Sequence, residues 1–270
     1  VKTVIIVQAR TGSSRLPGKV LLPLAGKPLL QRQLERIMAA ATVTRLVVAT
    51  TTEAEDEPVR ALCQKLHVPC YNGHPTDLLD RHYRVALAEQ ADAVVKIPSD
   101  CPLIDPDVID RVLRKWDGDH GEIDYLSNLH PATYPDGNDV EVLHVSILET
   151  AWQEATRQFE REHTTPFIWE RPERFTVRNV PWETGRDFSM THRWTIDYPE
   201  DYQFISRVYD ELWSAETPMF HLSDILNLLE MKPEIMRLNA RYAGINWYRH
   251  HRGELRTVSP GETRVLPEEQ

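Results

Sequence analysis

The chain opens on an uninterrupted apolar run, Val4-Ile5-Ile6-Val7, set between polar residues, and the pattern returns at Leu46-Val47-Val48-Ala49 and at residues 93–97. Short apolar runs without alternation predict strands buried on both faces, as in a parallel sheet. Between them the period changes. Leu30, Leu34 and Ile37/Met38 fall on one helical face and predict a helix over 29–38. Helices are also predicted over 55–66, with acids in the first turn where the helix dipole favours them, over 77–91, and over 106–116, with proline at its start. Residues 68–71 form a short strand-like run. This alternation predicts an α/β fold with a doubly wound, mainly parallel sheet, on which ligands sit at the carboxyl ends of the strands.

From about residue 120 the regular alternation stops. Strands are predicted over 124–129, 140–144, 174–180 and 192–196, and helices over 146–157, 200–213 and 222–231. This half is read as completing the sheet and adding a small lobe over 120–175. The first 240 residues form one domain, and 241–270 an extension or tail, since Arg249-His250-His251-Arg252-Gly253-Glu254 follows no clear period.

Composition narrows the class. The 270 residues carry a net charge of −10, which argues against a general nucleic-acid binder. No apolar run approaches the ~18 residues of a membrane span, and the chain begins with a strand rather than a signal peptide. Three cysteines, Cys63, Cys70 and Cys101, form no Cys-x-x-Cys pair, which fits a reducing cytoplasm and no structural zinc. Against the acidic whole, residues 1–34 hold six Lys and Arg and no acid. A positive patch on an acidic chain points to an anionic ligand.

That patch centres on the loop after the first strand, Gln8-Ala9-Arg10-Thr11-Gly12-Ser13-Ser14-Arg15-Leu16-Pro17-Gly18-Lys19. Gly12 and Gly18 allow the backbone to turn and approach a ligand, and Ser13 and Ser14 add hydroxyl donors. Arg10 and Arg15 supply planar forks of charge and Lys19 a point charge. Together they suit a polyphosphate. The loop is not a Walker A motif: the stretch from Gly12 to Gly18 is one residue too long and Val20 follows Lys19.

The Ala9-Arg10-x-Gly-Ser-x-Arg-Leu-Pro-Gly-Lys19 form resembles the signature of the CMP-sugar synthetases, cytidylyltransferases that activate 3-deoxy-octulosonate and sialic acids. The spore-coat polysaccharide (acylneuraminate cytidylyltransferase-like) branch is more similar still, over roughly residues 3–215. The resemblance implies a nucleotide-diphospho-sugar transferase (GT-A-like) fold, Mg²⁺ as cofactor, CTP and an acidic sugar as substrates, and a homodimer through the 120–175 lobe.

Two acids at strand ends complete the expectation. Asp100 closes the run from Val94 and faces the phosphate loop, a natural place for a Mg²⁺ ligand. Asp105 is read as the cap of the helix at Pro106, and Cys101 as a packed neighbour. Arg193-Trp194-Thr195-Ile196-Asp197 repeats the pattern and resembles the family's Asp-x-Pro-Glu-Asp element, whose first Asp completes the metal site. Glu200 and Asp201 are read as partners of the helix dipole. Paired carboxylates around Mg²⁺ and a triphosphate make a metal clamp. Arg81, in Asp77–Tyr83, either touches the nucleotide or is ion-paired. Asp139 and Glu141 resemble the spore-coat branch's Gly-x-Asp-Val-Glu segment near the acceptor. His163, in Arg161-Glu162-His163-Thr164-Thr165-Pro166, either binds the acceptor carboxylate or orients a loop. Catalysis is expected from Arg10, Lys19 and Asp100. A sugar-nucleotide glycosyltransferase would need an Asp-x-Asp on a strand edge, whereas Asp117-Gly118-Asp119 lies in a polar turn; a non-catalytic nucleotide binder is the other alternative.

Overall fold

The computed structural model describes residues 1–119 and 121–266. In chain order the elements are β1 (Thr3–Gln8), a small hairpin of β2 (Pro23–Leu24) and β3 (Lys27–Pro28), α1 (Leu29–Ala39), β4 (Leu46–Thr51), α2 (Glu57–Leu66), β5 (Cys70–Gly73), α3 (Leu78–Ala88), β6 (Ala93–Pro98) and α4 (Pro106–Asp117). The second half adds β7 (Tyr125–Ser127), β8 (Glu141–His144), α5 (Val145–Glu154), α6 (Gln158–His163), α7 (Pro166–Trp169), β9 (Val177–Asn179), α8 (Pro199–Leu212), α9 (Leu222–Met231) and α10 (Pro233–Arg237). Seven strands form one sheet in the order β5-β4-β1-β6-β8-β7-β9. Only β8 runs against the others.

The burial pattern explains why the early strands are apolar throughout. Ile5 and Val7 pack on one face of the sheet with Leu30 and Leu34 of α1, Ile109 of α4, Phe204 of α8 and Ile225 of α9. Val4 and Ile6 pack on the other with Leu79 and Tyr83 of α3, Leu148 of α5 and Ile168 of α7. A strand sandwiched between helical layers has no solvent face to make polar. The chain winds outward from β1 to β4 on one side and returns to β6 on the other, so the order switches between β1 and β6, where such sheets open a crevice at the carboxyl ends. Gln8 lies beside Pro98 in parallel register, so the phosphate loop and the Ser99-Asp100 turn leave the sheet from one rung.

Several elements differ from expectation. Residues 192–196 are extended but form no strand. They make one isolated bridge, Asp136 to Arg193, because Gly137 turns away at φ 111° after that rung. The strand expected over 174–180 shrinks to β9, and α6, α7, α10 and the β2–β3 hairpin were not foreseen. β7 and β8 complete the sheet, as expected for this half, and α5–α7 pack over one face of it.

As far as residue 266, the segment after Arg241 packs as an extension with buried anchors. Tyr242, Ile245, Leu255 and Leu266 are buried, and Arg264 N–H donates to the Gly244 carbonyl at 2.7 Å. Its polar composition hides a few apolar anchors without a helical or strand period. Among the described residues no helix is long and apolar enough to cross a membrane.

Candidate active site

Backbone and side-chain contacts shape the loop after β1. Gly18 N–H donates to the Thr11 carbonyl at 2.9 Å and closes the loop on itself. Gly18 turns with φ 68°, which a side chain would strain. Gly12 has no such backbone demand, and a Cβ there would meet open space, so its small size matters only toward a ligand. Asp56, buried just before α2, fixes the loop from outside: its carboxylate accepts from Thr11 N–H at 2.6 Å, from the Thr11 hydroxyl at 2.8 Å and from the Thr51 hydroxyl. Sequence reasoning gave this acid only a role at the helix dipole, because its partner lies 45 residues away.

The loop lines a cavity of about 560 Å³, in the range that holds a small-molecule substrate. Gln8, Ala9, Arg10, Gly12, Ser13, Ser14, Arg15 and Lys19 all border it, as do Arg81, Asp100, Asp139, Glu141, His163 and Asp197. Every site residue expected from sequence therefore meets in one crevice.

Lys19 sits between the two expected metal ligands. Its Nζ lies 3.4 Å from Asp100 Oδ2 and 3.0 Å from Asp197 Oδ1, and donates to the Ile196 carbonyl at 2.7 Å. Burial opposes its charge, but Asp100 and Asp197 outweigh that and hold the ammonium above its usual range. Asp197 also meets Arg15 at 2.7 Å and Arg193 at 3.2 Å. Burial alone would raise it, yet these three cations hold its carboxyl well below the carboxylate range. Asp197 is thus more fully paired than Asp100.

Arg193 is the residue that sequence reasoning missed here. Its guanidinium is buried and reaches Asp201 at 2.9 Å, Asp197 at 3.2 Å, Asp136 at 3.5 Å and the Ile245 carbonyl at 2.7 Å. Asp201, expected only to complement the dipole of α8, is wholly buried and also accepts the Asp197 and Tyr198 N–H groups at 2.9 and 3.0 Å. Asp105 does cap α4, accepting from Asp107 N–H at 2.8 Å, and Cys101 is packed with its thiol pushed far up by burial.

Arg81 is 1% exposed, and its Nε and Nη1 have no hydrogen-bond partner among the described residues. Burial and the nearby Arg10 push it down to about 10. An ion-paired, solvated Arg81 is therefore not what the fold builds. Beside it, Gln8 Nε2 donates to the Leu78 carbonyl at 2.8 Å while Gln8 Oε1 and His82 Nε2 are buried and unpartnered. Orphaned buried polar atoms clustered in a cavity mark where a ligand's polar edge completes them.

Glu141 is fully engaged. It receives Lys96, the Tyr125 hydroxyl at 2.7 Å and the Thr165 hydroxyl, and these hold it below its usual range despite burial. Asp139 is freer: burial, with Asp100 and Glu141 near, pushes it up to about 7. Asp136 is raised further by burial and by Asp139, Asp100 and Asp197, against the pull of Arg193. The His163 ring stacks on Trp247, centroids 3.8 Å apart, and is pushed down to about 3, chiefly by burial.

A doubly wound sheet whose crevice joins a cationic glycine-containing loop to converging carboxylates defines a nucleotidyltransferase. A family model described as cytidylyltransferase matches residues 4–230, and the chain belongs to that family. A solved cytidylyltransferase from Leptospira borgpetersenii is 33% identical, with a TM-score of 0.82 over 87% of this chain and 96% of that one. An uncharacterised protein of Methanocaldococcus jannaschii is 33% identical over 88% of this chain and 95% of its own. The spore coat polysaccharide biosynthesis protein SpsF of Bacillus subtilis is 29% identical over 85% and 94%.

Proposed function

We propose that the protein couples CTP to a sugar hydroxyl, releasing pyrophosphate and forming a CMP-sugar for polysaccharide biosynthesis. The observation that carries the reading is Lys19, buried between Asp100 and Asp197 at the mouth of the phosphate loop. The triphosphate lies along Arg10–Lys19, with Ser13 and Ser14 as donors, and the base lies against Gln8, Ala9 and Arg81, whose orphaned atoms it completes. The sugar enters beside Asp139, Glu141 and His163. A sugar oxygen–phosphorus bond forms at the α-phosphate as the bond to the leaving pyrophosphate breaks, and the hydroxyl proton passes to solvent water. Lys19, Arg10 and Arg15 offset charge on the phosphates, and the fixed cavity supplies alignment, the main source of rate in such transfers.

The donor set fits a hard divalent cation. Asp100 and Asp197 would offer carboxylate oxygens, and Asp136 and Asp139 are raised by burial first and by neighbouring carboxylates second, the part a cation would offset. Mg²⁺ held by Asp100 and Asp197 would neutralise phosphate charge. A 2-keto sugar acid such as a nonulosonate is the acceptor we favour, and a homodimer the assembly.

The test is pyrophosphate release with Mg²⁺, each of CTP, UTP, GTP and dTTP, and a panel of 2-keto sugar acids, amino sugars and neutral sugars. Release with CTP and one acid supports the whole reading. Release with a neutral or amino sugar overturns the acidic acceptor, and release with another nucleotide overturns the cytidine preference. Sedimentation of the intact chain tests the dimer. Lys19→Ala and Asp100→Ala should each lower turnover by about 10²–10³-fold; full turnover by Asp100→Ala would overturn its metal role.

A further inference from the structure

The stretch from Gly244 to His250 lies outside the part of the chain that the family model matches, yet it lines the same cavity as the phosphate loop. Two independent anchors hold it. On one side the Ile245 carbonyl accepts from Arg193 Nη1 at 2.7 Å, the same guanidinium that grips Asp197. On the other, the buried Glu170 carboxylate, just after α7, accepts Arg256 N–H at 2.7 Å, Thr257 N–H at 2.9 Å and the Thr257 hydroxyl. Asn246 is tied to the following turn through the Glu262 carbonyl at 2.8 Å. Gly244 itself is required: at φ 74°, a Cβ there would come within 2.7 Å of Met190 Cε and 3.3 Å of the Met190 carbonyl. The segment is therefore a strap fixed at both ends, not a free terminus.

What the strap presents is aromatic. Trp247 lies flat on His163 at 3.8 Å and 13°, edge-on to Tyr248 at 4.7 Å, and within 6.2 Å of Trp169. His130 packs against Trp169 at 4.3 Å and Tyr248 at 6.5 Å. All of these rings border the cavity. Ring faces bury the C–H surface of a cyclic polyol, and polar edges and carboxylates beside them take its hydroxyls. Among the described residues no hydrogen bond from α6 orients the His163 ring, whereas the indole of Trp247 lies flat against it.

We propose that residues 244–250 form the outer wall of the acceptor-sugar subsite, with Trp247 as the positioning residue that holds His163 against the sugar. The assignment rests on the functional reading above and goes beyond it by giving sugar selection to a segment outside the matched family region.

The experiment compares the intact chain with Trp247→Ala and Trp247→Phe. CTP affinity is measured by calorimetry with Mg²⁺, and KM and kcat with the sugar that the wild type turns over. The expected result is an acceptor KM raised about tenfold or more in Trp247→Ala, CTP affinity within about twofold of wild type, and most of the KM recovered in Trp247→Phe. An unchanged acceptor KM overturns the proposal. So does a matching loss of CTP affinity, which would make Trp247 a general structural residue. A wild type that turns over no sugar, while still binding CTP, overturns the functional reading itself and the strap assignment with it.

Discussion

At the scale of single residues, the site is a problem of charge placed where water is scarce. Arg193 is the tightest case: one buried guanidinium faces Asp136, Asp197 and Asp201. Removing one partner of such a network leaves the others buried and uncompensated, so Arg193→Ala should cost about 3–5 kcal/mol, read from denaturant unfolding. The conservative Arg193→Lys should also be poorly tolerated, because an ammonium cannot span the Asp201 carboxylate and the Ile245 carbonyl at once. Histidines set a second expectation. Burial first, and nearby cations second, push His82 and His163 down to about 3, and burial pushes His130 down to about 4. Their folded values lie below the unfolded one, so the unfolded chain binds protons first as pH falls. The stability these histidines contribute should hold above about pH 6.5 and decline below it, by up to about 1.4 kcal/mol per pH unit for His82, while the raised Asp136 and Asp139 carboxyls act in the opposite direction over the same window. Melting temperatures from pH 8 to pH 4 check this, and His82→Gln should flatten the slope.

At the scale of elements, what was legible depended on how local the cause was. The β1, β4 and β6 runs and the helices between them could be read directly, because burial on both faces writes itself into a continuous apolar string. The phosphate loop was legible because glycine, serine and basic residues cluster within twelve positions. The stretch 192–196 was not, since its alternation is satisfied by Asp136, the Asp100 backbone and Lys19 rather than by a neighbouring strand. Gly137 decides that outcome: a Cβ there would meet the Trp194 and Thr195 backbone at 2.8–2.9 Å. Gly137→Ala should therefore destabilise the fold and lower turnover together, visible as a reduced melting temperature. Asp56 was hidden for the same reason of distance. It holds the loop by two hydrogen bonds from Thr11 and the end of β4 by a third from Thr51, and these keep its carboxyl below the ordinary value despite burial. Its contribution is complete above the unfolded carboxylate pKa and is lost as pH falls through the lower folded value. Asp56→Ala should cost about 1–3 kcal/mol and loosen CTP binding.

At the scale of the molecule, a positive loop sits on a chain of net charge −10. Attraction for a polyanion is then local, and counter-ions weaken it: CTP affinity should fall by roughly tenfold between ~0.01 M and ~0.3 M salt, measured by calorimetry. The strap escaped the sequence reading because it has no period, although Trp247 and Tyr248 in an otherwise polar stretch were a usable sign, since exposed tails seldom carry paired aromatics. The sheet and the strap also differ in how they are attached. Gln8 and Pro98 share a rung, so the spacing between the phosphate loop and Asp100 is set by the ~4.8 Å between strands and cannot drift. The segment 245–257 hangs instead from side-chain hooks, Arg193 at the Ile245 carbonyl and Glu170 at Arg256 and Thr257. The reacting half of the molecule is cast in the scaffold, while the selecting half is an attachment. A replacement segment that keeps an acceptor for Arg193 and N–H groups for Glu170 is thus a graft the scaffold can carry, and catalogue choice among sugars becomes separable from the chemistry of transfer.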